Sequence, residues 1–290
     1  MNLEALQDAT AVALPFFALL ITAEVLISSW RGLKAYDRRD FIGSMSQLMG
    51  NVIVQLLSRG AILGFYLWIY QFRLFTAPND LLGLMVLAVV IDFQFYWFHR
   101  ASHRIRILWA VHVSHHSSEY MNLGTALRQP WLGPLVKPIF YWPLPLLGFD
   151  PIAILAVGSL LTIYGFWTHT EQIPDIGKWG YIFVSPAHHR VHHGSNPLYI
   201  DKNYSNFLIV WDRIFGTYQA EVEPVNYGLT ANIGTYNPWE IATHEFQSIA
   251  RDCRRALAHG ESVAPILFNP PMQSTSGSVG GKSPAVDAGS

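Results

Sequence analysis

The chain has 290 residues, 51% of them hydrophobic and only 13% charged, against about 25% charged in an ordinary soluble domain, so a water-soluble globule is excluded and a membrane protein is expected. Nineteen basic and twenty acidic residues leave a formal charge of -1, which offers no cationic field for nucleic acid. The single cysteine, Cys253, can form no internal disulfide and excludes Cys-rich zinc modules and cysteine-ligated iron–sulfur clusters, so any metal must sit on nitrogen or oxygen.

Residues 11–29 (AVALPFFALLITAEVLISS) form an apolar run of the roughly 20-residue length that a helix needs to cross a bilayer. Glu4 and Asp8 precede it where a cleaved signal would carry basic residues, so this first helix is expected to stay. Residues 48–70 predict a second span, interrupted by Asn51, Gln55 and Arg59 at spacings of four, a face expected to point into the bundle. Residues 81–98 predict a third, which carries Asp92. Shorter apolar stretches at 131–147 and 151–168 follow, with Gly148, Asp150 and Pro151 marking the bend between them. Pro130, Pro134, Pro138, Pro143 and Pro145 leave two versions open, two full crossings or a shallow hairpin. Beyond about residue 197 the chain reads as polar, aromatic-rich loop and short helix, with an amphipathic surface helix over 236–258. The organisation expected is N-terminal transmembrane helices over 1–80, a histidine-box domain over 81–220 with its membrane hairpin at 131–168, a C-terminal cytosolic segment over 221–265, and a Ser/Gly/Pro-rich disordered tail over 266–290.

Basic residues set the expected orientation. Arg31, Lys34, Arg38 and Arg39 follow the first span and Arg100, Arg104 and Arg106 follow the third, whereas the loop between the second and third has only Arg73. Because cytoplasmic loops collect Lys and Arg, the N-terminus is expected outside and the third span is expected to end on the cytoplasmic side at His99. The hairpin then returns the chain to the same side. This brings the histidine-rich segments 99–116 and 169–193 to one membrane face, although 53 residues separate His116 from His169.

Ten of the twelve histidines lie between His99 and His193. Nine belong to three motifs: HRASH (His99, His103), HVSHH (His112, His115, His116) and HHRVHH (His188, His189, His192, His193). Residues three and four apart share a helical face, so each motif is expected to present its imidazoles to one point in space. Neutral imidazole is the common nitrogen ligand of Zn, Fe, Cu and Ni, and eight or more converging rings exceed what one ion can use, so a two-metal centre is expected. His169, in WTHTEQ, is an additional candidate. His169 and His188 stand open between ligating and supporting a ligand, and His244 and His259 read as ordinary surface residues. A purely structural role is disfavoured because each half-buried ring would need hydrogen-bond partners. Asp92, Tyr96, His99 and His103 share one helical stripe, which makes Asp92 a candidate for accepting the free ring N–H of a ligating histidine. The alternative is an ion pair with Arg59. Glu24, in the first span, has the same ambiguity.

HRASH, HVSHH and HHRVHH resemble the three histidine boxes of the fatty acid hydroxylase or sterol desaturase superfamily of integral membrane di-iron proteins. The resemblance runs from about residue 85 to 220. The flanks HHSSEYMNLGTALRQP and NYSNFLIVWDRIFGTYQ are most similar to the alkylglycerol monooxygenase group and its bacterial relatives. The resemblance implies His99, His103, His112, His115, His116, His189, His192 and His193 as metal ligands, with His169 and His188 at the margin of the set. It implies two iron ions, with zinc as the other occupant of a purified form. It implies an all-α membrane fold, a bundle of about four to five helices with a cytosolic cap that carries the di-metal centre. The implied activity is O2-dependent hydroxylation, desaturation or oxidative cleavage of a lipid, whether fatty acyl, sterol or alkyl ether. The electrons must come from outside, from tetrahydrobiopterin or from a cytochrome or ferredoxin partner, since no Rossmann or flavin fingerprint is present. Two other classes stay open from the residues alone. A zinc-dependent membrane lipid hydrolase would usually include carboxylate ligands and an open water position. A metal transporter would place its ligands near the bilayer midplane and not at the ends of spans.

Overall fold

The computed structural model describes residues 9–271, and the expectations for Glu4, Asp8 and residues 272–290 lie outside the described residues. Among the described residues the regular structure is helical, with two isolated β-bridges (Phe183 with Leu208, Gly194 with Tyr227) and no strand. Three helices are long and apolar enough to cross a membrane by length and composition: α1 (Ala9–Trp30), α2 (Arg38–Tyr70) and α3 (Leu81–Arg104). At about 1.5 Å per residue even the shortest, at 22 residues, matches the roughly 30 Å of hydrocarbon it would have to span. Large apolar side chains such as Leu19, Leu57 and Leu81 point outward.

Helix α2 begins ten residues before the expected span, because Asp37 caps it by accepting the N–H groups of Arg39 and Asp40. Asp80 does the same for α3 by accepting the Gly83 N–H. The polar face expected on α2 is narrower than its spacing suggests. Asn51 turns inward and donates from Nδ2 to the Pro130 carbonyl at 2.6 Å, whereas Gln55 is exposed and Arg59 half-buried. Helix α3 continues past residue 98 through HRASH, so His99 and His103 occupy its last turns.

The region 131–168 holds α5 (Gly133–Tyr141), α6 (Pro143–Leu146) and α7 (Pro151–Phe166). At nine and four residues, α5 and α6 are too short to cross a bilayer, and at 16 residues α7 reaches only about 24 Å. Three helices of spanning character are therefore found among the described residues, where four to five were expected. Proline is the physical cause: Pro143 and Pro145 deny backbone donors to a continuous helix after Trp142. Leu84, Leu87 and Ile91 of α3 pack against Tyr141 and Leu144 from the region before the bend and against Ala153, Ile154 and Val157 of α7. This core fixes the end of α7, and with it His169, beside the end of α3.

The cap contains α4 (Arg106–His116), α8 (Pro186–His192), α9 (Val210–Ile214), α10 (Pro238–Ala258) and α11 (Ala264–Phe268). The chain turns from α3 into α4 at Ile105, whose backbone is extended. Arg106 then ties α4 to α10 through Glu245 and Asp252, each at 2.7 Å. Helix α11 enters the stretch expected to be disordered from residue 266: it is helical through Phe268, and the Asn269 carbonyl accepts the Arg106 N–H at 3.1 Å.

Candidate metal centre

Nine imidazoles gather into two adjoining groups. His99 and His103 of α3, His112 and His116 of α4, and His192 of α8 form one; His115 of α4, His169 after α7, and His189 and His193 at the end of α8 form the other. Within each group the candidate ligand atoms lie within 4.8 Å of one another. The groups touch where the His116 and His193 rings stack, centroids 4.4 Å apart. Each HxxHH box is split, where one point in space was expected. On α4, His112 and His116 face one group and His115 the other; on α8, His189 and His193 face the second and His192 the first. The helix turns about 100° per residue, so i and i+4 stand about 40° apart around its axis while i+3 stands about 100° from i+4. A box of this spacing therefore feeds two points.

Backbone carbonyls hold four of these rings from behind. The Nδ1–H of His99 donates to Tyr204 O at 2.7 Å, that of His115 to Arg128 O at 3.1 Å, that of His169 to Gly165 O at 2.9 Å and that of His192 to Lys202 O at 2.9 Å. A carbonyl only accepts, so each of these neutral rings carries its lone pair on Nε2. Burial keeps the rings neutral: it pulls His115 down to about 4 and His192 to about 3, and holds His112, His116, His169, His189 and His193 well below the ordinary imidazole value. The Nε2 atoms of His115 and His169 nevertheless face each other at 3.3 Å with no proton to place between them. Nε2 of His103 and of His192 are buried without a hydrogen-bond partner. Facing lone pairs and buried unsatisfied nitrogens are what a cation would relieve, and the residues present fit a pair of metal ions. No carboxylate belongs to either group among the described residues.

Comparisons with known proteins fall on the same segment. A family model described as fatty acid hydroxylase matches residues 84–217, which contain all nine gathered histidines. The chain is 42% identical over 253 residues to the alkylglycerol monooxygenase of Homo sapiens, covering 86% of this chain and 56% of that one. It is 43% identical over 233 residues to that of Danio rerio, covering 79% and 52%. It is 30% identical over 148 residues to the ornithine lipid hydroxylase OlsE of Rhizobium tropici, covering 50% and 45%. The chain carries a fatty acid hydroxylase segment over residues 84–217. It spans about half the length of the curated relatives it matches. No solved structure matches it.

Within the hydroxylase segment, the polar residues that support the rings differ from those expected. Asp92 accepts the N–H groups of Phe207 and Leu208 and the Trp211 indole N–H, each at 2.9 Å. Its carboxylate therefore fixes the segment 207–211 and bears on His99 through that segment, three residues from Tyr204, where a bond to a ring or an ion pair with Arg59 stood open. Asp212, which the sequence did not single out, is fully buried and accepts the N–H groups of Tyr204 and Ser205 and the Thr217 hydroxyl. Thr217 also pairs with Tyr96 at 3.0 Å, so the α3 stripe meets the loop that orients His99. The buried Arg128 was likewise missed. It pairs with Asp40 at 2.5 Å and donates to Ser44 and Ser117, which holds its own carbonyl on His115. A lone arginine within TALRQP, at the end of an apolar stretch, was the available signal.

His188 lies outside both groups. It takes part in the N-cap of α8, where its Nδ1 accepts the Ser185 N–H at 3.2 Å and its own N–H meets the Ser185 hydroxyl. His244 and His259 also lie outside, each donating from Nδ1 to a carbonyl of its own helix.

Proposed function

We propose that this chain is a membrane lipid oxygenase of di-iron type, with His99, His103, His112, His116 and His192 holding one ion and His115, His169, His189 and His193 the other. The observation that carries this reading is the pair of all-imidazole groups whose buried Nε2 lone pairs face one another. Iron bound there would supply O2 activation for attack on an unactivated C–H bond, with two electrons from an external donor such as a reduced pterin, a cytochrome or a ferredoxin.

The chain's own residues contribute neutral donors, fixed orientation and exclusion of water. The carbonyls of Tyr204, Arg128, Gly165 and Lys202 lock four rings in the tautomer that presents Nε2. Eight of the nine rings are buried and His112 is partly so, while Trp109 packs against His103 and His116 at 5.0 and 5.6 Å. Hydrolytic zinc centres usually recruit a carboxylate, and none belongs to these groups, which favours the oxygenase over the hydrolase reading. The basic residues after the first and third spans favour a multi-pass topology with the centre on the cytoplasmic side. The relatives' names make an alkylglycerol the first substrate to try and an ornithine lipid the second.

The test is metal analysis and O2 consumption on the full chain purified in detergent, with iron, a two-electron donor and each lipid in turn. Two iron ions per chain and lipid-dependent O2 uptake are expected. A zinc protein that hydrolyses lipid and stays redox-silent after iron loading would overturn the reading.

A further inference from the structure

Helix α1 lies outside the matched segment 84–217, yet its contacts follow the stretch of chain that carries His169. Three residues seven apart, Phe17, Glu24 and Arg31, meet successive points of that stretch. The Phe17 ring stacks on Phe166 at the end of α7, centroids 4.0 Å apart and planes within 18°. Glu24 accepts the Thr170 hydroxyl. Just past the helix end, Arg31 donates to the Gln172 side chain at 3.0 Å. Residues at i and i+7 lie on one stripe of a helix, so α1 presents a single edge to the turn that positions His169.

Glu24 is the centre of this edge. It is only 5% exposed, and besides Thr170 it accepts the Tyr36 hydroxyl at 2.5 Å and the Leu123 N–H at 2.7 Å. A carboxylate in an apolar span is costly unless its oxygens are satisfied, and three donors from three separate segments satisfy this one. Burial beside Glu24 pushes the Tyr36 hydroxyl up, so it remains the donor. Thr170 adjoins His169, and its carbonyl accepts Arg190 at 3.0 Å. Arg190 in turn sits directly after His189 on α8. One carboxylate thus braces the chain beside two of the four rings of the second group. The five rings of the first group come from α3, α4 and α8, none from the turn after α7.

We propose that Glu24 is a positioning residue for His169, and that α1 is a scaffold for the four-histidine group as well as a membrane segment. This rests on the two-ion reading of the centre.

The experiment is a ferrous titration of the full chain in detergent under anaerobic conditions, read as affinity for the first and second equivalents. Glu24→Ala and Thr170→Val should keep the first equivalent at wild-type affinity and weaken the second by about 10- to 100-fold, with His169→Ala showing the same asymmetry in stronger form. Thr170→Val keeps the side-chain shape and the covalent frame, so it reports even if Glu24→Ala fails to fold. Two equivalents at wild-type affinity in Thr170→Val, or equal weakening of both, overturn the positioning role while leaving the two-ion reading intact. A wild-type chain that takes up no pair of ions overturns both.

Discussion

The two histidine groups are built by different means. The five-histidine group draws four rings from α3 and α4, consecutive helices joined at Ile105, and one from α8. The four-histidine group draws one ring from α4, two from α8 and one from the turn after α7, so it depends on a segment that the proline-interrupted region 131–147 and then α7 must deliver from across the sequence. The first is assembled largely by local chain geometry. The second is assembled by long-range packing, and it has one donor fewer. A site with fewer donors and a longer assembly path is the easier to empty.

Substitutions can break or sharpen this contrast. The largest effect is expected for His115→Ala, which removes one of four donors and frees the Arg128 carbonyl: turnover should be abolished and metal depleted, with the protein still in the membrane fraction. Retained full activity would count heavily against the ligand assignment. The comparison itself is measured by His169→Ala against His103→Ala. His103 has only the Asp201 carboxylate near Nδ1, at 3.8 Å, and four other rings remain in its group. His169→Ala should therefore lower metal affinity by at least about tenfold more, as read by competition with a chelator, and equal losses would remove the distinction between the groups. Asp92→Asn should act on stability before chemistry. It places an amide where carboxylate oxygens accept three donors, at a cost of about 2 kcal/mol, visible as a lower unfolding midpoint with both metal equivalents retained. The smallest effect is expected for His188→Ala, which loses part of a cap worth about 1 kcal/mol and should leave metal content unchanged. Loss of an ion in that variant would return His188 to the ligand set.

Much of the candidate centre was legible because a histidine is visible in the sequence as a residue type. HRASH, HVSHH and HHRVHH announce imidazoles at helical spacing, and WTHTEQ adds His169 at the foot of an apolar stretch. The division into two groups was not read, although the 100° step between i+3 and i+4 contains it. The supports were less legible still. Four rings are held by backbone carbonyls, and a carbonyl has no residue type to search for. Asp92 stands out in the sequence by its position in an apolar helix, but its partners lie 115 to 119 residues away. The two versions left open for 131–147 part at a local feature: Pro143 and Pro145 follow the end of α5 and leave only one turn after it, so the count of four to five spanning helices is not confirmed among the described residues.

The alternating attachment of each HxxHH box has a mechanical result. Because α4 and α8 each send rings to both groups, a rotation of α4 that carries His112 and His116 toward their group, or of α8 that carries His189 and His193 toward theirs, swings His115 or His192 about the same axis. The rings that α4 and α8 supply cannot relax in one cluster alone. Filling one sets the rotational phase of two helices for its neighbour, so uptake of the first ion should lower the reorganisation left for the second.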